Sequence, residues 1–354
     1  MKRIVKLSLI ISSLFLLFSL SMPASAADDL QGSTFYKKVK HPDNQITNGE
    51  ALNLMMKPGQ KQKVTVEVFN LSDKEITVES KLSGARTNGN GGLEYGPTKL
   101  KKDKSMKYDL PDLVKIPSSV KVPAKGKTDL VLDIKMPETK FDGIVTGGIQ
   151  LMEKDKSVET KDQKGATIEN KIAFLFGVTL QMTEEKITPN FKLNSVKAGL
   201  QNYRNAIFID ISNPKSMIAK DMVLNAEITE EGKKEVLYQK KKTDVSMAPN
   251  SIMSFPVSLD GDKMKAGDYT ANVVLRGYDK EWKWTKNFSI TKEEADRFNQ
   301  QDPYLVQERG LDWKLVALIV GGVLLVVILV VVILKVTKKN KNGKTSKKKK
   351  PKRK

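Results

Sequence analysis

The residue types that carry catalysis in most enzymes are scarce in this sequence. The chain has one histidine, His41, and no cysteine, so thiol nucleophiles and cysteine-ligated metals are excluded. A serine triad would have to use His41, and no G-x-S-x-G nucleophile motif accompanies it. Paired carboxylates are too common on protein surfaces for the sequence to exclude them. We therefore expect a protein that is not an enzyme.

Two short motifs resemble ligand-binding loops but lack their essential residues. Asp260, Gly261 and Asp262 form a D-G-D sequence that is too short for an EF-hand loop, and we expect a hairpin turn there. Residues 89–96, GNGGLEYG, are rich in glycine, but no Lys-Ser or Lys-Thr pair comes directly after the last glycine as a phosphate-binding loop requires. The sequence thus predicts no cofactor and no metal site.

Aromatic side chains beside polar groups are the residues best suited to bind a ligand. Tyr95, Tyr108 and Asp109 lie in one segment rich in glycine and lysine. Sugar faces stack on aromatic rings, so such a segment on a rigid scaffold would suit a glycan; the alternative is that it only covers the edge of a sheet. Trp282 and Trp284 share one face of a predicted strand, where they either pack in the core or anchor a partner.

The elements that must position these residues are short β-strands. Five segments alternate apolar and polar residues, and turns rich in Gly, Pro, Asn and Asp separate them. The predicted inward faces are Val64/Val66/Val68, Ile76/Val78/Leu82, Leu130/Leu132/Ile134, Ile207/Ile209/Ile211 and Tyr269/Ala271/Val273/Leu275. The sequence predicts an all-β protein, with two tandem immunoglobulin-like β-sandwich domains followed by a single transmembrane helix.

The order of the predicted strands repeats along the chain. In each copy a strand, a turn with asparagine and a second strand are followed by a proline-bearing turn and two more strands. The stretch between Asn70 and Pro123 is longer than the equivalent stretch between Asn213 and Pro249, and the excess contains the two tyrosines named above. We therefore predict an insertion in the first module. Tyr269, after K-A-G-D, resembles the tyrosine corner of such sandwiches; a ligand contact is the alternative.

Both ends of the chain carry membrane-targeting features. Residues 315–334 are all apolar, and a helix of this length spans about 30 Å, one bilayer core. Twelve lysines and arginines follow, and together with the three in MKRIVK they supply most of the formal net charge of +20. Clustered lysines after a span favour a cytoplasmic tail, and the apolar run before PASAA is typical of a secretory signal peptide. Because most of the positive charge belongs to the tail and the signal peptide, nucleic acid is not expected as a partner.

These features divide the chain into six predicted segments. They are a signal peptide (1–27), a first immunoglobulin-like domain (28–186), a second one (187–293), a juxtamembrane stalk (294–313), a transmembrane helix (314–335) and a basic cytoplasmic tail (336–354). The expected location is the cell membrane, crossed once, with the N-terminal region on the cell-wall side. No LPxTG-like sorting signal precedes the span, so we expect the protein to stay in the membrane.

The absence of cysteine also bears on the kind of cell surface. An exported region without disulfides depends on its hydrophobic core, and this favours a bacterial, especially Gram-positive, surface. Two tripeptides, N-L-S at Asn70 and N-F-S at Asn287, match the glycosylation sequon. Such triplets occur often by chance, so they do not change this expectation.

Several blocks of sequence, in order, resemble one known family. HPDNQI, KPGQKQKVTVEVFNLSDKEITVE, DLVKIP, MPETKFDGIVTGGIQL and NKIAFLFGVTLQ are similar to the N-terminal domain of the WxL-interacting proteins, surface components of Gram-positive bacteria. FKLNSVKAGLQNYRNAIFIDISNP and MAPNSIMSFPVSLDGDKMKAGDYT are similar to the second domain of that family. The resemblance extends from about residue 35 to residue 295, and the signal peptide, span and basic tail also fit it.

The resemblance implies partners that the residues alone do not reveal. It implies a first domain that binds peptidoglycan, a second that binds host extracellular-matrix proteins, and WxL-domain proteins as partners; it supplies no ligand residues. We therefore expect a membrane-anchored cell-surface scaffold that binds peptidoglycan and WxL-domain proteins and attaches to host matrix. The alternatives are a strand-donating assembly chaperone for surface proteins and a cell-wall hydrolase.

Overall fold

The computed structural model describes residues 33–154, 158–161, 167–170, 172–305 and 313–342. The predicted signal peptide and most of the predicted basic tail lie outside these ranges. The chain divides into two compact units, residues 1–302 and 303–354. The first unit contains two β-sandwich modules, and the second contains the long apolar helix.

The first module is a sandwich of a four-stranded and a five-stranded sheet. Its elements are β1 (Phe35–Val39), β2 (Leu52–Met55), β3 (Lys61–Asn70), β4 (Ile76–Gly84), β5 (Arg86–Thr87), β6 (Leu93–Glu94), α1 (Leu110–Leu113), β7 (Val114–Lys115), β8 (Ser119–Val122), β9 (Lys127–Lys135), β10 (Ile144–Glu153), β11 (Val158–Lys161), β12 (Thr167–Asn170) and β13 (Ala173–Gln181). One sheet has the order β1–β3–β9–β7 and the other β2–β13–β10–β4–β8. β5 pairs with β6, and β11 pairs with β12.

The second module is a sandwich of a three-stranded and a four-stranded sheet. Its elements are β14 (Lys192–Gln201), β15 (Arg204–Asn213), β16 (Ala219–Glu230), β17 (Val236–Met247), β18 (Ser251–Ser258), β19 (Gly267–Gly277), β20 (Lys280–Ile290) and α2 (Lys292–Gln301). The sheets have the orders β14–β15–β18 and β17–β16–β19–β20. These sheets correspond to β1–β3–β9 and to β8–β4–β10–β13 of the first module. Each sheet of the first module has one additional strand, which is β7 in the four-stranded sheet and β2 in the five-stranded sheet. The predicted all-β fold is confirmed.

The period-two pattern of the sequence places the cores of both modules. All of the predicted inward residues are buried except Leu82, which packs partly exposed against the first core. Successive side chains of a strand point to opposite faces, so each alternating segment contributes one apolar row to a core and one polar row to the outer surface. Burial of each aliphatic side chain contributes about 1.5–3 kcal/mol relative to exposure.

A buried asparagine holds the same corner in each module. Asn70 donates through Nδ2 to the carbonyl oxygens of Val122 and Pro123 at 3.1 and 3.0 Å. Asn213 donates in the same way to the carbonyl oxygen of Ala248 at 3.0 Å. Each amide also donates to the carbonyl four residues further along, at 2.7 and 2.8 Å. The predicted repeat of asparagine turn and proline turn is therefore one structural device used twice.

Tyr269 and α2 complete the second module. The hydroxyl of Tyr269 donates to the carbonyl oxygen of Lys265 at 3.0 Å, which is the geometry of a tyrosine corner. A capping box begins α2, Ala295 is buried and Phe298 packs against the second core. The predicted stalk would begin inside this helix; the bounds of the six segments remain predictions.

The second unit is dominated by α3 (Trp313–Asn342). Within it, Val316–Lys335 has a mean hydropathy of 3.5 and carries one charged residue. By length and composition this stretch is able to cross a bilayer core. It is the candidate membrane span.

Candidate functional site

The insertion of the first module, residues 85–118, leaves the sheet after β4 and returns to it at β8. Its regular elements are the hairpin of β5 and β6, the one-turn helix α1 and the short strand β7, which joins the other sheet beside β9. It contains the predicted ligand residues Tyr95, Tyr108 and Asp109. Its contacts reach both the first core and the second module.

Asp109 is buried, with 4% of its surface exposed, and lies at the N-terminus of α1. Arg86 binds its carboxylate with two guanidinium nitrogens, at 2.5 and 3.2 Å, and Nζ of Lys102 lies 2.9 Å from it. Burial alone would raise the pKa of Asp109, but the hydrogen bonds from Arg86 and Lys102 outweigh it and hold that pKa below its usual value. These contacts tie the start of the insertion to its end, and the predicted ligand contact of Asp109 remains a prediction.

The two tyrosines of the insertion have different surroundings. Tyr95 lies on the outer face of the five-stranded sheet, where a Cβ at Gly148 would come within 2.7 Å of its carbonyl oxygen. Burial raises the pKa of the Tyr95 hydroxyl. Tyr108 packs against the first core with its ring 5.7 Å from that of Phe141. Both are half-buried, and their role as ligand contacts remains a prediction.

Trp282 and Trp284 are half-buried on the inward side of β20, where they pack against the second core. The Trp282 ring meets that of Phe191 edge to face, with centroids 4.8 Å apart. The structure thus favours core packing for both tryptophans, in a module that does not include the two tyrosines. Their role as a partner anchor remains a prediction.

The hairpin of the insertion makes buried contacts with the second module. The hydroxyl oxygens of Thr87 and Ser251 lie 2.5 Å apart, and Thr87 accepts a hydrogen bond from the backbone N–H of Ala248 at 2.9 Å. The N–H of Ser246 donates to the carbonyl oxygen of Gly91 at 2.8 Å. The polar groups at this junction therefore satisfy one another across the two modules.

A second contact lies further along the insertion. The Ser212 hydroxyl donates to the Asp103 carboxylate, and Asn250 donates to the carbonyl oxygen of Ser105 at 3.2 Å. Burial alone would raise the pKa of Asp103, but hydrogen bonds from Ser212 and Ser105 hold it below its usual value. The backbone N–H of Ile144 also donates to Ser216 of the second module at 2.8 Å. Three separate segments thus join the modules.

Sequence reasoning missed the residues of this junction. Thr87, Ser251 and Asp103 have ordinary types in turn-like surroundings, and only the fold brings them together. Arg86 does carry a signal, because it is the only arginine between residues 4 and 203 of a lysine-rich chain. Arginine is the residue suited to bidentate binding of a buried carboxylate. Within the ranges that the structure describes, no group of three His, Asp or Glu residues is placed to hold a metal ion.

Two family models match consecutive parts of the chain. The model for the peptidoglycan binding domain of WxL Interacting Protein matches residues 35–153, and the model for its host binding domain matches residues 163–300. The chain belongs to the WxL-interacting protein family. β13 falls within the second match, although it pairs with β10 and β2 in the sheet of the first module.

The structure of this WxL-interacting protein also has distant likenesses among solved structures. The CupB2 chaperone of Pseudomonas aeruginosa has a TM-score of 0.24 and 13% identity, covering 64% of this chain and 92% of the chaperone. The Escherichia coli chaperone DraB has a TM-score of 0.23 and 12% identity, covering 68% and 95%. PapD-like domain 7 of human CEP192 has a TM-score of 0.25 and 10% identity, covering 47% and 97%. At these values no functional argument follows.

The comparison with curated proteins found no match. Both family models describe binding domains, one for peptidoglycan and one for a host. The protein has a binding role at the cell surface.

Proposed function

We propose that this chain is a membrane-anchored scaffold that binds peptidoglycan through its first module and WxL-domain proteins or host extracellular-matrix proteins through the pair of modules. The observation that carries the proposal is the succession of a peptidoglycan-binding match, a host-binding match and a candidate span on one chain. The basic residues that follow the span support a cytoplasmic tail and an N-terminal region on the wall side.

The tether and the junction both serve such a scaffold. A protein held at the membrane meets wall polymers at a high effective concentration, so modest affinities are sufficient for binding. The junction through Thr87, Asp103 and Ser216 supports a fixed arrangement of the two modules. Ligands bound to the two modules would then be held at a constant separation.

Retention by purified ligands tests the proposed binding. The full-length chain in detergent micelles is incubated with peptidoglycan sacculi, and separately with an immobilised WxL-domain protein. We expect sacculi to retain the chain at low micromolar concentration and the WxL-domain protein to form a complex visible by size-exclusion chromatography. Retention by neither ligand would contradict the scaffold proposal.

Protease treatment of intact cells tests the proposed orientation. We expect external protease to remove an epitope placed in an exposed loop of the second module, such as residues 231–235, and to spare an epitope at the C-terminus. The matched control is the same cells after permeabilisation, in which both epitopes are removed. Loss of the C-terminal epitope alone from intact cells would place the tail outside and overturn the orientation.

A further inference from the structure

The outward face of the sheet β1–β3–β9–β7 carries an aromatic pair. The strand register sets Tyr36 opposite Phe69, and Phe69 opposite Lys127. The rings of Tyr36 and Phe69 are stacked, with centroids 4.6 Å apart and planes 1° from parallel, and Nζ of Lys127 lies 5.6 Å from the centroid of Phe69. Both rings are half-buried and lie on the side opposite the core. Phe69 is thus held between the Tyr36 ring and Lys127, and the outer ring face of the pair is the side of Tyr36 turned away from Phe69, on the edge strand β1. We call this aromatic pair the platform.

Lysines continue along this face from the platform to the opposite end of the strands, where Lys61 and Lys135 are register partners eight residues, or about 26 Å, from Phe69 and Lys127. The outward positions on or beside the four strands hold three carboxylates and seven exposed lysines, namely Lys38, Lys40, Lys61, Lys63, Lys115, Lys127 and Lys135. Four of these lysines, Lys38, Lys61, Lys115 and Lys135, form no ion pair with another described residue. Four of the seven, Lys61, Lys63, Lys115 and Lys135, line an open cleft of about 660 Å³, and the carboxylates of Asp112 and Asp133 also line it. We call the platform, the lysines and the cleft together the lysine face; its net charge is positive.

One carboxylate of the lysine face is already neutralised. Glu67 is 6% exposed, and its Oε1 lies 2.7 Å from Nζ of Lys127 and 3.1 Å from Nζ of Lys40. Hydrogen bonds from Lys127 and Lys40 hold the pKa of Glu67 below its usual value. The carboxylate of Glu67 thus holds the two lysines in place beside the aromatic pair, and the three groups together carry a net charge of about +1.

The equivalent face of the second module is in contact with another segment. Asp210 precedes Asn213 by three residues, as Glu67 precedes Asn70, and it is likewise 6% exposed and paired with a lysine. On this face the insertion is in contact with β15, because Asp103 accepts a hydrogen bond from Ser212, whose side chain points away from the core. The outer face of this three-stranded sheet therefore binds the insertion of the first module. In the first module the same face carries exposed lysines and the aromatic pair.

We propose that the lysine face is the surface through which the first module binds peptidoglycan. The apolar side of a sugar ring rests on the outer face of the Tyr36 ring, which Phe69 supports from behind, and Lys38, Lys61, Lys115 and Lys135 pair with carboxylates of the peptide stems along the strand. The inference rests on the proposed function and names the contact surface for it.

Two features of the lysine face select this ligand. Peptidoglycan combines pyranose rings with carboxylate-bearing peptides, so it needs both an apolar platform and cations. A phosphate-rich wall polymer would match the lysines but would leave the stacked rings without a role. Because the platform and the cleft lie about 26 Å apart along β3 and β9, a ligand that contacts both must be extended, as a glycan strand is.

Variants of the lysine face test the proposal with the full-length chain in detergent micelles and sacculi stripped of phosphodiester-linked polymers. We expect Tyr36→Ala, and separately the fourfold variant Lys38→Gln, Lys61→Gln, Lys115→Gln, Lys135→Gln, to raise the apparent Kd at least about tenfold. The fourfold variant should also show a weaker dependence of binding on salt. Tyr36→Phe keeps the platform and should bind within about twofold of the original chain.

The matched control removes the same charge from exposed positions of the second module through Lys234→Gln, Lys241→Gln, Lys242→Gln, Lys263→Gln, and should bind within about twofold of the original chain. Unchanged binding by the fourfold variant of the lysine face would overturn the surface assignment and leave the proposed function standing. Loss of binding when phosphate polymers are stripped would also overturn it, since these polymers would then be the ligand. If the original chain binds no form of sacculi, the proposed function itself fails.

Discussion

Asn70 and Asn213 show how a single side chain defines a corner of each sandwich. Each amide bridges the turn that follows its own strand and the proline turn across the module. Both residues are almost fully buried, at 3% and 0% exposure. The hydrogen bonds to the carbonyl oxygens of Val122 and Ala248 are buried, so no solvent molecule replaces the amide there when it is removed.

Asn213→Ala should therefore lower the free energy of unfolding by about 1–3 kcal/mol, because it leaves the carbonyls of Met217 and Ala248 without their donor. Urea denaturation followed by circular dichroism measures the change. Asn48→Ala, at an exposed position, is the control and should stay within about 0.5 kcal/mol. Equal effects of the two variants would show that the corner does not depend on the amide.

The buried pair of Asp109 and Arg86 predicts a pH dependence of stability. Because hydrogen bonds lower the pKa of Asp109 in the folded state, its carboxylate stabilises the fold above its unfolded pKa of about 4, and that stability is lost as the pH falls through the folded value. Asp109→Asn should cost about 3–5 kcal/mol at pH 7, since Arg86 loses its buried partner. Urea denaturation between pH 3 and pH 7 should show the difference shrinking on acidification.

Asp73→Asn is the matched control for this pH series. Asp73 pairs with Lys125, but its side chain is 88% exposed, and such pairs contribute about 0–1 kcal/mol. Its effect should be small at every pH. A constant difference between the original chain and Asp109→Asn from pH 3 to pH 7 would contradict the assigned role of the ionised carboxylate.

At the scale of elements, the strands were predictable and their partners only in part. Period-two alternation places Val66, Leu132 and Ile209 in the cores because a half-buried strand must point alternate side chains inward. The repeat also predicted the corresponding strands of the two modules. Both results depend on local sequence alone, and local sequence is sufficient wherever one face of a strand is buried.

The remaining elements depend on contacts between distant parts of the chain. β2 pairs in parallel with β13, more than a hundred residues away, and nothing in its four residues indicates that partner. The sequence left open whether the insertion binds a ligand or covers the edge of a sheet. Its contacts with the second module through Thr87, Gly91 and Asp103 have no local signal, because only the fold brings these residues to their partners. The lysine face was missed because exposed lysines on alternating strands look like any solvated face.

Helix α2 offers a test of where the second module ends. Ala295 is 4% exposed against the second core, and the neighbouring Asp296 is exposed. Ala295→Asp should therefore lower the free energy of unfolding by about 2 kcal/mol or more, because it buries an unpaired carboxylate. Asp296→Ala should stay within about 0.5 kcal/mol. If both variants have the same melting temperature as the original chain, helix α2 does not pack against the second core and belongs to the stalk.

At the scale of the whole molecule, the junction makes the stability of one module depend on the other. Thr87 of the first module accepts the backbone N–H of Ala248 in the second, and both residues are buried. Replacing Thr87 by valine keeps its shape but removes the acceptor. The unpaired N–H of Ala248 destabilises only the state in which the two modules are in contact, because this group is hydrated again when the modules separate.

Thr87→Val should therefore uncouple the unfolding of the two modules. We expect a single calorimetric transition for the original chain and a broadened or split transition for the variant, with a loss of about 1–3 kcal/mol. Thr243→Val, at an exposed position of β17, should leave the transition unchanged. An unaltered single transition for Thr87→Val would mean that the junction does not transmit stability.

The buried amide of Asn70 has a practical consequence for anyone producing this protein in eukaryotic cells. Asn70 opens an N-L-S sequon, and oligosaccharide transfer in the endoplasmic reticulum acts on chains that have not yet folded. A glycan on Nδ2 would occupy the atom that binds Val122 and Pro123, at a site with no room for a sugar. Secretion from yeast or mammalian cells should therefore yield misfolded first modules, whereas bacterial hosts avoid the modification.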